Sequence, residues 1–180
     1  MNTYKFFMYL FVCLFFCGCR TENLQSCSDY ISFYYWDKGI LTECAVTTIE
    51  EVKEEAFCAD TVLCDSNKVR QFYNYVMWLQ PSTEQRCVNL RVVSGIHYND
   101  TTIIASFGEN QGIMVDGIRM NDDKRLFDFI EKVLYSEKGY RRLFDKYMET
   151  QGFSYNLTPE QIEERWHYFY STVKNNVIVR

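Results

Sequence analysis

The chain has 180 residues, of which 47% are hydrophobic and 17% aromatic, with only eight glycines and two prolines. This composition excludes a disordered or low-complexity chain and is typical of one globular domain that buries its own core. The formal net charge of −5 disfavours a nucleic-acid partner, because neutralising phosphates requires clustered lysine and arginine. The densest basic run is Arg141-Arg142, which we interpret as part of a solvated helix face.

The N-terminus has the pattern of a targeting segment. One positive charge at Lys5 precedes thirteen uncharged, mostly apolar residues from Phe6 to Gly18. A helix that spans a bilayer needs about 20 apolar residues, so this run is too short to cross a membrane. It fits the hydrophobic region of a secretory signal peptide.

The end of this run, Phe16-Cys17-Gly18-Cys19, resembles the lipobox of bacterial lipoproteins. Gly18 and Cys19 match the two most constrained positions of that motif, whereas Phe16 and Cys17 depart from the usual Leu and Ala or Ser. The resemblance covers residues 1–19 only. It implies cleavage before Cys19 and acylation of its thiol, so that the acyl chains anchor the protein to a membrane.

The resemblance also implies how the chain is divided and where it resides. Residues 1–18 are the signal peptide, residues 19–29 are the lipidated N-terminus and a polar tether, and residues 30–180 are a single domain. Arg20 stands where Asp would favour retention in the inner membrane, which mildly favours the outer membrane of the cell envelope. The alternative is an ordinary signal peptide cut after Cys19, which gives a secreted protein without lipid.

Five cysteines follow Cys19, an odd number that leaves at least one thiol unpaired: Cys27, Cys44, Cys58, Cys64 and Cys87. The spacing allows Cys58 and Cys64 to pair across a loop. Cys44 and Cys87 fall in predicted strands, so we expect them to be buried thiols.

The first half of the domain begins with a predicted hairpin. Residues 31–37 form an aromatic strand, Asp37-Lys38-Gly39 forms a turn, and residues 40–46 return as the second strand. A capping box at Thr48 and Glu51 then predicts a short helix that ends near Phe57. Residues 60–64 are a brief extended segment, and a helix opens at Asp65-Ser66 and ends before Pro81.

The central hairpin spans residues 87–108. Apolar side chains alternate along its first strand, which predicts one buried face formed by Val88, Leu90, Val92, Ile96 and Tyr98. Asn89, Arg91 and His97 lie between them and are expected to point outward. Asn99-Asp100 supplies the turn, because both residues tolerate a positive φ.

The C-terminal half is mainly helical after a hairpin at Asp116-Gly117. Asn121 is predicted to cap a helix that Gly139 breaks or bends, and the next helix ends near Gly152. The last helix has a capping box at Thr158 and Gln161. Its tail frays from residue 174, with residues 177–179 as a possible edge strand. The summed pattern predicts an α+β fold, with an antiparallel sheet built from hairpins and covered by about five helices clustered toward the C-terminus.

The sequence contains no motif for catalysis, for a cofactor or for a metal. Glu163 and His167 lie on the same face of the last helix, and we interpret them as a surface pair. Two candidate sites remain. Arg91, His97 and Asp100 form a predicted surface cluster at the central hairpin. Tyr34 and Trp36 form a predicted aromatic patch for a partner, with a tyrosine-rich core rim as the alternative.

These observations favour a lipid-anchored protein of the cell envelope that serves as a binding or structural interaction module. Its expected partners are the membrane, through the N-terminal lipid, and a protein or a glycan. An envelope enzyme whose catalytic residues are distant in sequence is the first alternative. A secreted, disulfide-containing protein without lipid is the second.

Overall fold

The computed structural model describes residues 27–36, 48–54, 58–84, 86–109, 111–153 and 156–178. The strands are β1 (Tyr30–Tyr35), β2 (Ala59–Leu63), β3 (Leu90–Tyr98), β4 (Thr101–Gly108), β5 (Ile113–Val115) and β6 (Ile118–Met120). The helices are α1 (Ile49–Glu54), α2 (Ser66–Met77), α3 (Lys124–Leu134), α4 (Glu137–Thr150) and α5 (Pro159–Ile178). None of these described helices is both long and apolar enough to span a membrane.

The described strands form one antiparallel sheet in the order β2-β1-β3-β4-β5-β6. Three of the five described helices follow the last strand in the chain. The predicted α+β fold with an antiparallel sheet is therefore confirmed. The returning strand predicted at residues 40–46 lies outside the described residues, and β1 instead pairs with β2 on one side and β3 on the other.

Two apolar clusters lie on opposite faces of the sheet. The larger cluster joins the sheet to α2, α3, α4 and α5 through side chains such as Phe33, Phe72 and Phe107. The smaller cluster lies beneath α1 and is centred on Trp36, Val52 and Leu90. The sheet is therefore buried on both faces near its centre.

The central hairpin is confirmed as β3 and β4, with Asn99 and Asp100 at φ values of 47° and 59° in its turn. The predicted single buried face is wrong in its first half. The pairing shifts between Leu90 and Val92, so Arg91 is the extra residue of a β-bulge. A one-residue insertion reverses the alternation of side chains. Leu90 consequently packs in the smaller cluster, whereas Val92 packs in the larger one.

The second predicted hairpin is confirmed as β5 and β6. Asp116 and Gly117 both have positive φ, at 47° and 80°, as a tight two-residue hairpin turn requires. The Asp116 carboxylate also accepts a hydrogen bond of 2.9 Å from the Ile104 amide. This bond ties the turn to β4, the neighbouring strand.

The helix starts follow the capping residues of the sequence, with one exception. Both predicted capping boxes form, at Thr48 with Glu51 and at Thr158 with Gln161. The predicted cap at Asn121 is wrong, because Asp123 accepts the hydrogen bond of the Arg125 amide at 2.8 Å and α3 begins at the residue between them. A carboxylate is as good a cap as an amide and also favours the positive helix end.

Gly139 does not break a helix, contrary to the sequence prediction. The chain turns at Tyr135 and Ser136, and Gly139 lies in the first turn of α4. A Cβ atom at this position would lie 1.6 Å from the Leu134 carbonyl oxygen, so the glycine allows the two helices to meet closely. The tail prediction is also wrong, because α5 continues to Ile178 where fraying from residue 174 and a possible edge strand were predicted.

Candidate functional site

The predicted surface cluster at the central hairpin is not formed. Arg91 is only 3% exposed, and its guanidinium lies 5.2 Å from the ring centre of Trp36. The bulge turns this side chain inward, although the alternation predicted that it faces solvent. His97 lies six residues further along β3, stacked on Tyr30 with ring centres 4.2 Å apart, and Asp100 is exposed in the turn.

The predicted aromatic patch divides between the core and a half-buried position. Trp36 is 2% exposed, and its indole N–H donates a 3.0 Å hydrogen bond to the Val52 carbonyl. Tyr34 is half-buried, with the Lys53 ammonium 5.0 Å from its ring centre. It lines a cavity of about 430 Å³ whose walls carry charges of both signs. These two residues agree with the core alternative rather than with an exposed patch.

The feature that stands out is a groove of about 650 Å³ between β2, α2, α3 and the start of α4. Among the residues that the structure describes, five cations and one carboxylate line it, which gives a formal charge of +4 in a chain whose net charge is −5. We call it the basic groove, and its cations are Lys68, Arg125, Lys132, Lys138 and Arg142.

Part of the groove wall is apolar. Side chains from β2, α2 and α3 contribute this surface: Val62, Leu63, Tyr75, Phe129 and Val133. Binding pockets for small molecules combine such walls with a few placed polar groups, and their volumes are about 300–1,000 Å³. The basic groove has both properties.

Two of the six charged groups form close ion pairs. Arg125 bonds the Asp123 carboxylate at 2.6 Å and lies 4.9 Å from the Tyr75 ring centre. This bond holds the pKa of Asp123 below its usual value. Asp128, the one carboxylate of the groove, bonds the Lys124 ammonium through both oxygens at 2.6 Å. The negative charge of Asp128 is therefore neutralised by Lys124, which does not line the groove.

The remaining cations are more available. Lys68 lies 3.7 Å from Asp65, a long and solvent-exposed contact. Lys132 and Lys138 are exposed and form no ion pair with a described residue. A phosphate, sulfate or carboxylate placed between such groups would gain charge-assisted hydrogen bonds.

Arg142 is the one half-buried cation of the groove, and the fold fixes its position. Its guanidinium lies near the hydroxyl of Tyr35, a side chain that is fully buried in β1, and its positive charge acts to lower the pKa of that phenol. The same hydroxyl donates to the Gly139 carbonyl at 3.1 Å. Burial raises the pKa of Tyr35, so the phenol stays neutral and keeps its proton for this bond. The prediction of a solvated face fails for Arg142.

Arg141, its neighbour, belongs to a different surface. It bonds Glu163 at 2.9 Å and Asp145 at 3.0 Å, and it lies 5.1 Å from the Trp166 ring centre. Glu163 also lies 3.7 Å from His167. Among the described residues, no three His, Cys, Asp or Glu side chains are grouped so as to hold a metal.

Sequence reasoning missed the basic groove because its cations come from three helices. Lys68 is on α2, Arg125 and Lys132 on α3, and the other two on α4. One local signal was available: Arg125, Phe129 and Lys132 occur at i, i+4 and i+7, which places two cations on one helix face around an aromatic ring. The contribution of α2 depends on tertiary packing.

The chain was compared with protein-family models, with curated proteins and with solved structures, and none of them matches it.

Proposed function

We propose that this chain is an exported envelope protein, anchored through lipid on Cys19, whose domain binds a small anionic ligand in the basic groove. The N-terminal resemblance to lipoproteins supports export and anchoring. The basic groove supports binding, and it is the observation that carries the proposal. Five cations converge on one concave surface of an otherwise acidic chain.

The groove's chemistry indicates the class of ligand. The cations can bind one or two anionic groups of a ligand. The apolar wall, which includes Val62 and Phe129, can pack against a carbon skeleton attached to those groups. A single pocket of this size does not provide the extended basic stripe that nucleic-acid backbones require. We therefore expect a small molecule, or the terminal group of a larger partner such as an acidic glycan or protein.

A calorimetric titration tests this proposal with a matched pair of probes. Naphthalene-2-sulfonate has an anionic group on an apolar body, and naphthalene-2-sulfonamide is its uncharged analogue. Each is titrated into the full chain in non-ionic detergent, with a protein-free blank. We expect saturable binding of the sulfonate at one site, and roughly tenfold weaker binding when Lys132→Gln and Lys138→Gln are combined. Added salt should also weaken binding.

The control removes two positive charges elsewhere. Lys53 lies on α1, on the opposite face of the sheet, and Arg86 pairs with Glu84, which also bonds β6 at the far edge. The variant that combines Lys53→Gln and Arg86→Gln has the same net charge as the groove variant and should bind the sulfonate as the unaltered chain does. Equal weakening in both variants, or equal binding of the sulfonamide, would contradict the proposal.

A further inference from the structure

Cys27 and Cys64 lie side by side at one end of the sheet. β1 and β2 are antiparallel, with Ile31 opposite Leu63, so the chain enters β1 next to the point where it leaves β2. Cys64 directly follows β2, and its thiol lies close enough to the thiol of Cys27 for the two groups to interact. Both are free thiols.

The partner that the sequence suggested for Cys64 is too far away. Cys58 precedes β2 and Cys64 follows it, so the extended strand separates their Cα atoms by roughly 20 Å. A disulfide requires Cα atoms within about 7 Å of each other. Cys58 is also buried, and Cys87, which was expected to be buried, is exposed.

Neighbouring hydrogen bonds hold both cysteines in place. Asp29, two residues after Cys27, accepts a 3.1 Å hydrogen bond from the Asn99 amide in the β3–β4 turn. Asp65, directly after Cys64, accepts hydrogen bonds from the Asn67 and Lys68 amides as the cap of α2. Both segments are therefore fixed to the fold next to the two cysteines.

We propose that Cys27 and Cys64 form a disulfide bond that joins the segment before β1 to the start of α2. The oxidant is a small or protein disulfide that reacts by thiol–disulfide exchange. A thiolate of the pair attacks one sulfur of the oxidant and releases its first thiol. The second protein thiolate then attacks the mixed disulfide and releases the other thiol. One disulfide forms as one breaks, and both protons end on the reduced oxidant.

The contact between the two thiols sets how the reaction depends on pH. Hydrogen bonding to Cys27 raises the pKa of Cys64 from 9.0 to about 11. Only the thiolate is nucleophilic, so Cys64 is mostly protonated and slow at neutral pH. The rate of closure should therefore increase as the pH rises from 7 to about 9.

The test uses the reduced full chain in a buffer of oxidised and reduced glutathione. Remaining thiols are alkylated after acid quenching, and the peptides are analysed by mass spectrometry without reduction. Trypsin leaves Cys58 and Cys64 on one peptide, so a second protease that cleaves before Asp60 is needed to separate them. We expect a cross-linked peptide that contains Cys27 and Cys64, which persists in Cys58→Ser and disappears in Cys64→Ser.

Thermal unfolding gives a second readout. The bond closes a loop of about 40 residues, and the oxidised chain should unfold roughly 10 °C above Cys27→Ser, with Cys87→Ser as the control that leaves the difference intact. Two results would overturn the proposal. One is that Cys27 and Cys64 are both still alkylated after incubation in fully oxidised glutathione, and the other is a disulfide between Cys64 and Cys58. In cells the bond also needs the export proposed above. A pair that closes in vitro but is reduced in cells would contradict export and leave the pairing intact.

Discussion

Trp36 and Arg91 show how tertiary contacts change the role of two side chains. The bulge at Arg91 places its guanidinium over the Trp36 ring, and the indole N–H reaches the Val52 carbonyl. An aromatic ring and a long cationic stem fill the smaller cluster, although alternation predicted that Arg91 faces solvent and Trp36 was predicted to belong to an exposed aromatic patch. The amino-acid types at these positions suit either role. The tertiary position of α1, which supplies the carbonyl, decides between them.

We predict that Trp36→Phe lowers the free energy of unfolding by about 2 kcal/mol and leaves affinity for naphthalene-2-sulfonate unchanged. The substitution removes the hydrogen bond to a buried carbonyl and leaves a small cavity. Urea denaturation measures the first effect. The matched control is Trp78→Phe, because Trp78 is 74% exposed and its loss should change stability by less than about 0.5 kcal/mol.

The opposite pattern would restore the interpretation made from sequence. Were Trp36→Phe to bind the probe less tightly without any loss of stability, Trp36 would be a contact residue rather than a core residue.

For the helices and hairpins, short sequence patterns predicted the structure correctly wherever hydrogen bonds between nearby residues determine it. Positive φ at Asn99 and Asp116 matches the turn residues of both confirmed hairpins, and both capping boxes form. The predictions that failed depend on neighbours distant in sequence. Gly139 was interpreted as a helix breaker because glycine is a poor helix former, yet its role is to accommodate the Leu134 carbonyl of the preceding helix.

We predict that Gly139→Ala destabilises the chain by about 2–3 kcal/mol and weakens binding of naphthalene-2-sulfonate. The new methyl group would lie 1.6 Å from the Leu134 carbonyl oxygen, which is backbone and cannot rotate away. The corner between α3 and α4 must then open, and Lys138 and Arg142 move with it. Thermal unfolding and the calorimetric titration report the two effects separately.

Gly117→Ala is the control for backbone effects alone. No heavy atom lies within 4 Å of its Cβ position, but its φ of 80° strains an alanine by about 1 kcal/mol. Gly117→Ala should lower the free energy of unfolding by this amount and leave the affinity for naphthalene-2-sulfonate unchanged. Equal losses of affinity in the two variants would show that general destabilisation, rather than the position of the helix corner, weakens binding.

For the whole molecule, the predicted succession of hairpins followed by C-terminal helices was enough to predict an α+β fold. The strand order was not predictable, because β1 pairs with β2 and β3 rather than with the strand predicted at residues 40–46. The basic groove follows from the same long-range packing. Its cations lie up to 74 positions apart, from Lys68 to Arg142, so the sequence shows an acidic chain where the structure shows a local positive surface.

We predict that the mature chain begins at Cys19 and carries acyl chains when it is expressed in a bacterium that processes lipoproteins. Intact-mass spectrometry of the purified protein measures both properties. Cys19→Ser should lack the acyl mass, because Cys19 is the proposed acceptor, whereas Cys17→Ser should keep it. An unmodified mass in the unaltered chain would favour the alternative of an ordinary signal peptide or would exclude export, according to where the chain begins.

The bulge in β3 has one further mechanical consequence. Leu90 anchors the strand in the cluster beneath α1, and Val92 and Ile96 anchor it beneath the large helices. The backbone of β3 therefore lies between the two clusters, and its apolar side chains reach into both sides of the protein. Neither side can loosen without pulling on the ladder of hydrogen bonds that holds the opposite side together.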